Sequence, residues 1–268
     1  MLDLFNTPTP QKSNYQEFLG GGSTRDWIKP RGASMVRIML IGAGGGGGIG
    51  SATAGGGGGG SGAVTSWIGP AIFIPDQLRI VIAAGGTSGV NATVTSVIYQ
   101  AKDGTGYTLL TANGGGSGAA AITAGVAATA SANNYFGASG IFVSTAGQIG
   151  TVGSTTGAGT NQTASATTFL SGGAGGPGAA ANTGGSVTPN YDYTVLPATT
   201  AGGTVVGASG YFITQPILVG CGGAGGSTST AVGTTGGRGG IGCGGGGAGE
   251  DATTAGRGGD GAVFIWTW

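Results

Sequence analysis

Short apolar pieces alternate with glycine-rich stretches along almost the whole chain. Residues 35–41 read Met-Val-Arg-Ile-Met-Leu-Ile, a strand by length and β-branching, and run straight into Gly42-Ala43-Gly44. Asp26-Trp27-Ile28 forms a short strand closed by the turn signal Lys29-Pro30-Arg31-Gly32. Further strands are expected at 62–68, 71–75, 77–83, 93–100, 107–112, 140–143, 211–219 and 262–268. No long stretch carries a 3.6-residue apolar period with caps, so no helix is expected. The pattern predicts an all-β framework with glycine-rich insertions.

Glycine accounts for 67 of the 268 residues, and it comes in runs at 44–48, 55–60, 172–176 and 242–249. Ordering a glycine costs more backbone entropy than ordering any other residue, so an isolated run would be a loose linker. Here the runs recur between strands that would fix their ends. A polyproline II-type helix has three residues per turn and no internal hydrogen bonds, and its backbone groups are free to bond to neighbours. Glycine lets such helices lie side by side, aided by weak Cα–H···O contacts. Six residues would span roughly 19 Å, the length of an ordinary strand. The runs are therefore expected to form a bundle of polyglycine II helices inserted in the β-framework. Collagen is excluded, because there is no strict Gly-X-Y period and there are only nine prolines.

Charge is sparse, with nine basic and nine acidic residues and no histidine. Between Gly104 and Gly237 the only charged side chain is Asp192. So neutral a middle suggests packing against other chains, or a surface solvated by hydroxyls and backbone amides. Nucleic acid is not an expected partner, because phosphate binding needs Lys and Arg in number. No apolar run is long enough for a membrane span. The opening Met1-Leu2-Asp3-Leu4-Phe5-Asn6 does not read as a signal peptide, which points to synthesis in the cytoplasm of the producing cell. Cys221 and Cys243 each sit in a Gly-Cys-Gly-Gly setting and are either buried filler or one bridge.

Residues 1–22 differ from the rest, with Phe5, Pro8, Pro10, Lys12, Tyr15, Glu17 and Phe18 ahead of Gly20-Gly21-Gly22. They read as an extended arm that attaches the protein to a partner, or as a frayed tail. Residues 23–268 then form one glycine-rich β-sandwich domain.

Trp27-Ile28-Lys29-Pro30 with Gly32, then residues 36–41, then Gly42-Ala43 and five glycines, resemble the opening of the glycine-rich domains of bacteriophage tail and virion structural proteins. The run at 55–60 followed by Ser61-Gly62-Ala63-Val64, the stretch 80–86, and the ending Gly256-Arg257-Gly258-Gly259-Asp260-Gly261-Ala262-Val263-Phe264-Ile265 continue the likeness, which spans about 24–268. The arrangement is also similar to the glycine-rich region of anaplastic lymphoma kinase. The resemblance implies a jelly-roll or tumour-necrosis-factor-like β-sandwich carrying a polyglycine II bundle.

Little in the chain suggests catalysis. G-x-G-x-x-G matches arise by chance at this glycine content, and none is followed by a helix and an acidic residue at dinucleotide-site spacing. Without histidine there is no Ser-His-Asp or Cys-His arrangement and no histidine metal ligand. Glu250, Asp251 and Asp260 are the only acidic grouping near a calcium pattern, and they lack its spacing. Nothing in the sequence places two carboxylates together in a glycosidase cleft. No cofactor or metal is expected, and the protein is expected not to be an enzyme. Trp27, Trp67, Phe73, Trp266 and Trp268 read as sandwich core. Tyr135, Phe136, Tyr191, Asp192 and Tyr193, with Tyr211, Phe212, Asn133, Asn134 and Asn190, form either a receptor-contact rim or local loop packing. The expectation is a virion protein of the tail-fibre or spike type. It would be homo-oligomeric, with a trimer favoured, bound to other virion proteins and facing a carbohydrate or protein receptor on the host cell. Capsid decoration, cement or a minor head protein is the alternative.

Overall fold

The computed structural model describes residues 14–120, 122–132, 139–165, 167–178, 181–189, 205–213, 219–228 and 233–268. Its strands are β1 (Asn14–Phe18), β2 (Thr24–Ile28), β3 (Met35–Ile41), β4 (Val64–Pro70), β5 (Gln77–Val81), β6 (Thr95–Gln100), β7 (Gly106–Ala112), β8 (Ile141–Thr145), β9 (Gln162–Thr163), β10 (Val187–Thr188), β11 (Phe212–Ile213), β12 (Val219–Gly220) and β13 (Ala262–Thr267). A five-stranded antiparallel sheet runs β1-β13-β3-β4-β8, and a four-stranded antiparallel sheet runs β2-β5-β6-β7. The short strands pair as β9 with β10, in parallel, and β11 with β12, antiparallel.

Alternation places one set of side chains between the two large sheets. Val36, Ile38 and Leu40 of β3 and Val263 and Ile265 of β13 meet Leu78 and Ile80 of β5, Val97 of β6 and Leu110 of β7. Trp27 and Trp67 fill the same layer. Each buried Val, Leu or Ile contributes about 1.5–3 kcal/mol, so this small core is what holds the sheets face to face.

Four expectations change here. Residues 71–75 are not a strand: Pro70 holds φ at −61° and a 3-10 turn forms at Ala71–Phe73, leaving Ile72 and Phe73 exposed. Phe73 is therefore outside the core, and Trp266 lies on the outer face of the five-stranded sheet. Residues 14–22, read from the sequence as part of an arm, are built into the sandwich: β1 pairs along its length with β13. Of the strand expected at 211–219, its two ends form β11 and β12, and residues 214–218 lie outside the described residues.

The glycine runs are ordered, buried and joined to one another. Every amide from Gly55 to Ala63 donates to a carbonyl of another segment, in three interleaved sets. Gly55, Gly58 and Ser61 donate to Ser154, Thr151 and Gln148; Gly56, Gly59 and Gly62 donate to Ala248, Gly245 and Gly242; Gly57, Gly60 and Ala63 donate to Ala119, Gly116 and Asn113. The carbonyls repeat the pattern. Gly57, Gly60 and Ala63 accept from Gly48, Gly45 and Gly42; Gly55, Gly58 and Ser61 accept from Ile122, Gly125 and Ala128; Gly56 and Gly59 accept from Gly176 and Gly173. Residues 55–63 thus have six neighbouring segments, each met every third residue. Residues 242–251 show the same period: Gly245, Ala248 and Asp251 donate to Gly45, Gly48 and Ser51, and Gly244, Gly247 and Glu250 donate to Ser171, Ala174 and Pro177.

Glycine is required because the neighbours are backbone. A Cβ on Gly57 would lie 2.0 Å from the Thr123 carbonyl oxygen, and one on Gly244 would lie 1.9 Å from that of Gly59. The lattice grows from the sandwich connections. Residues 42–63 join the paired strands β3 and β4, and the hairpin continues outward with its hydrogen bonds spaced by three residues instead of two.

Candidate functional site

On the outer face of the five-stranded sheet the register aligns Tyr15, Trp266, Arg37, Ile68 and Ile141 in one row across all five strands. The next row is Glu17, Phe264, Met39, Ser66 and Val143. The lattice covers one end of this face: Leu170, Cys243, Ile241 and Phe212 pack on Met39, Ile41, Val64, Ala262 and Phe264. Beyond it lies an aromatic corner. Tyr15 stacks on Trp266 at 5.1 Å between ring centroids, the Arg37 guanidinium carbon lies 5.1 Å from the Trp266 ring, and Phe212 stacks on Phe264 at 6.4 Å. The Tyr15 hydroxyl donates to the Glu17 carboxylate. Partial burial, then that bond, then the Glu17 charge hold the Tyr15 phenol above its usual pKa. Ile141 and Val143, on the edge strand β8, are 68% and 55% exposed.

An open pocket of about 370 Å³ lies beside β11. Tyr211, Phe212 and Ile241 supply its apolar wall, Arg238 and Asp260 its charged side, and backbone of Gly239, Gly240, Gly259 and Gly261 its floor. Asp260 is fully engaged. One oxygen accepts from the Gly85 amide at 2.8 Å and from Arg257; the other accepts from Arg238 at 3.0 Å. Two guanidinium groups on one carboxylate leave the cluster with one net positive charge. Arg238, whose side chain is 52% exposed, uses one nitrogen on Asp260.

Of the residues singled out in the sequence, Phe5, Pro8, Pro10, Lys12, Tyr135, Phe136, Tyr191, Asp192 and Tyr193 lie outside the described residues. Tyr15 and Glu17 point outward from β1, and Phe18 packs against the sandwich core. Tyr211 and Phe212 line the pocket, whereas Arg238, Arg257 and Asp260 were not anticipated as a group. Their signal was present but faint: two Gly-Arg-Gly-Gly repeats, at 237–240 and 256–259, in a stretch otherwise poor in charge. Cys221 and Cys243 are free and buried. Burial pushes the Cys221 thiol up to about 12 and that of Cys243 well above the ordinary range. Among the described residues no three His, Cys, Asp or Glu side chains gather as metal ligands, and no helix is long and apolar enough to cross a membrane.

The pattern that defines the glycine-rich domain family matches residues 19–267. The chain belongs to this family. A search of curated proteins found no match. The matched residues take in β2 to β13 and the glycine lattice described above. β1 stands immediately ahead of the match and closes the five-stranded sheet.

Proposed function

We propose that this glycine-rich domain is a non-enzymatic structural protein of a bacteriophage virion, working as a tail-fibre or spike module that meets the host. In this reading the lattice is a bundle of polyglycine II helices and the sandwich is of the jelly-roll, tumour-necrosis-factor-like kind. The observation that carries it is the three-residue period of the amides from Gly55 to Ala63, each set directed at a different neighbour. That period is the repeat of a polyproline II-type helix, and six backbone neighbours make a stiff scaffold from which loops can be presented. The neighbouring positions of β1 and β13, the first and last of the described strands, support the jelly-roll reading.

The segment ahead of Asn14 attaches the module to other virion proteins, and the region about 130–215, whose only charged side chain is Asp192, faces a receptor through Tyr135, Phe136 and Tyr191–Tyr193. The assembly is a homo-oligomer, a trimer if it stands in a fibre or spike. The test is adsorption of purified protein to host cells, together with antibody labelling on particles. Adsorption lost on exchanging Tyr135 and Phe136, or Tyr191 and Tyr193, for alanine supports the reading. Normal adsorption by these variants removes its residues. A chain starting at Asn14 should fold yet fail to enter particles, and normal incorporation would move the virion contact to the sandwich.

A second reading, capsid decoration or cement, is favoured by Ile141 and Val143, which present apolar side chains at a sheet edge suited to lie against a neighbouring virion protein. Labelling confined to heads, without cell binding, would select it.

A further inference from the structure

We infer that the pocket beside β11 binds a single carboxylate-bearing sugar residue of the uronic or sialic acid class. Tyr211 and Phe212 fall within the region assigned above to receptor contact, so the inference deepens that reading by naming a ligand class, while its test, sugar binding by the isolated chain, can fail or succeed separately from host adsorption. Recognition of an anion here falls to one side chain, because the floor amides are already used. Gly239 donates to Arg257, Gly240 to Cys221, Gly259 to Cys243, Gly261 to Ala83 and Gly210 to Arg238, all at backbone carbonyls. The floor therefore offers no nest of free N–H groups, the feature that phosphate sites use. Arg238 does have donors to spare. Asp260 takes one of its nitrogens, and no other side-chain bond of Arg238 exists among the described residues. Asp260 is itself fixed by Arg257 and the Gly85 amide, so it aims the Arg238 guanidinium without consuming it. The cluster's one positive charge is left for a ligand, and the planar guanidinium fork suits a carboxylate.

The remaining walls specify the rest of the ligand. Phe212 and Tyr211 supply aromatic surface on which the apolar side of a sugar ring packs, and Phe212 is held by its own stacking on Phe264. A volume of about 370 Å³ is at the small end for ligand sites, enough for one ring and too little for several. The glycine floor cannot adapt: a Cβ on Gly259 would lie 1.6 Å from the Gly240 carbonyl oxygen, so the pocket is pre-formed by the lattice.

The probes are the methyl glycosides of glucuronic acid and N-acetylneuraminic acid, titrated into the full chain by NMR, with methyl glucoside and acetate as controls. Both acids, or one of them, should bind at millimolar concentration, at least tenfold more tightly than either control, with shifts at the Phe212 ring and Arg238 side chain. Arg238→Gln should weaken binding at least tenfold, and Arg238→Lys should recover part of it with an unchanged melting curve. Should Arg238→Gln fail to fold, the wild-type chain still decides: affinity for the acid sugar must fall as salt rises from 20 mM to 500 mM. No saturation by either acid at 20 mM, equal binding of methyl glucoside, or binding only of a short peptide through its terminal carboxylate would each overturn the proposal. Immobilised glycans ending in these acids distinguish a terminal residue from a free sugar, and binding to either upholds it.

Discussion

Replacing Gly57 by alanine tests the lattice with a single methyl group. Gly57 sits in the segment that has six backbone neighbours, and a Cβ there would lie 2.0 Å from the Thr123 carbonyl oxygen and 2.5 Å from its carbon. Carbon–oxygen contacts between backbones settle at about 3.3–3.6 Å, so the segment holding Thr123 must retreat by roughly 1.3–1.6 Å. That segment is tied to residues 55–63 by bonds from Ile122 to Gly55, from Gly125 to Gly58 and from Ala128 to Ser61. Losing two or three of them, at about 0.5–1.5 kcal/mol net each, costs about 1–4 kcal/mol. At about 2–4 °C per kcal/mol for a domain of this size, the melting temperature falls by roughly 2–16 °C. Gly157→Ala is the matched control, because a Cβ there meets nothing closer than the Ser154 hydroxyl at 4.0 Å. It should be neutral, or stabilising by up to about 1 kcal/mol through the unfolded chain. Calorimetry or circular dichroism on the two variants reads the difference. If Gly57→Ala melts together with Gly157→Ala, the segments are slack and the lattice argument fails.

Other outcomes follow from the same geometry. Amides of residues 55–63 should exchange with solvent among the slowest in the chain, as slowly as those of β3; rapid uniform exchange would make them loops. Ile122 holds φ at 72°, a costly conformation for a β-branched residue, so Ile122→Gly should raise stability by about 1 kcal/mol; a lower melting temperature would show that its side chain matters more than its backbone. Cys221 and Cys243 should resist iodoacetamide at pH 8 until denaturant is added, because burial disfavours both thiolates; stoichiometric labelling of the native protein would contradict this. The raised Tyr15 phenol favours the folded state in its neutral form. Its contribution is complete below the ordinary tyrosine pKa of about 10 and is lost as pH rises above it, so Tyr15→Phe should flatten the alkaline loss of stability. An unchanged alkaline profile in that variant would discount the Tyr15–Glu17 contact.

How much of this was legible in the sequence depends on whether the information lies in side chains. β3 and β13 were readable because each is a short apolar, β-branched run of strand length, buried along most of it. β1 was not, because Asn-Tyr-Gln-Glu-Phe buries little and gains its place from the backbone of β13. The glycine runs announced close backbone contact, but glycine has no side chain with which to encode a partner. Nothing in residues 55–60 says that they face 113–119, 148–154 and 242–248. The Arg238–Asp260 pair was hidden for a related reason. Twenty-two residues separate the two, and lattice folding alone brings them together.

A packing that repeats every third residue is nearly blind to sliding by three. A glycine segment shifted by one turn would recover almost all of its hydrogen bonds, so the chain needs marks that fix its phase. The non-glycine residues inside the lattice supply them. The Ser61 hydroxyl donates to the Leu170 carbonyl at 3.2 Å and accepts the Gln148 amide at 2.7 Å, and Ser171 accepts the Gly222 amide at 2.7 Å. Cys243 packs in the buried cluster with Ile41, Leu170 and Phe264. These few side chains act as the graduations on a vernier. Erasing one, as in Ser61→Gly, would leave every backbone-to-backbone bond available but strip the Gln148 amide of its acceptor, so chains could settle one notch apart and the damage would appear as heterogeneous refolding together with lost stability.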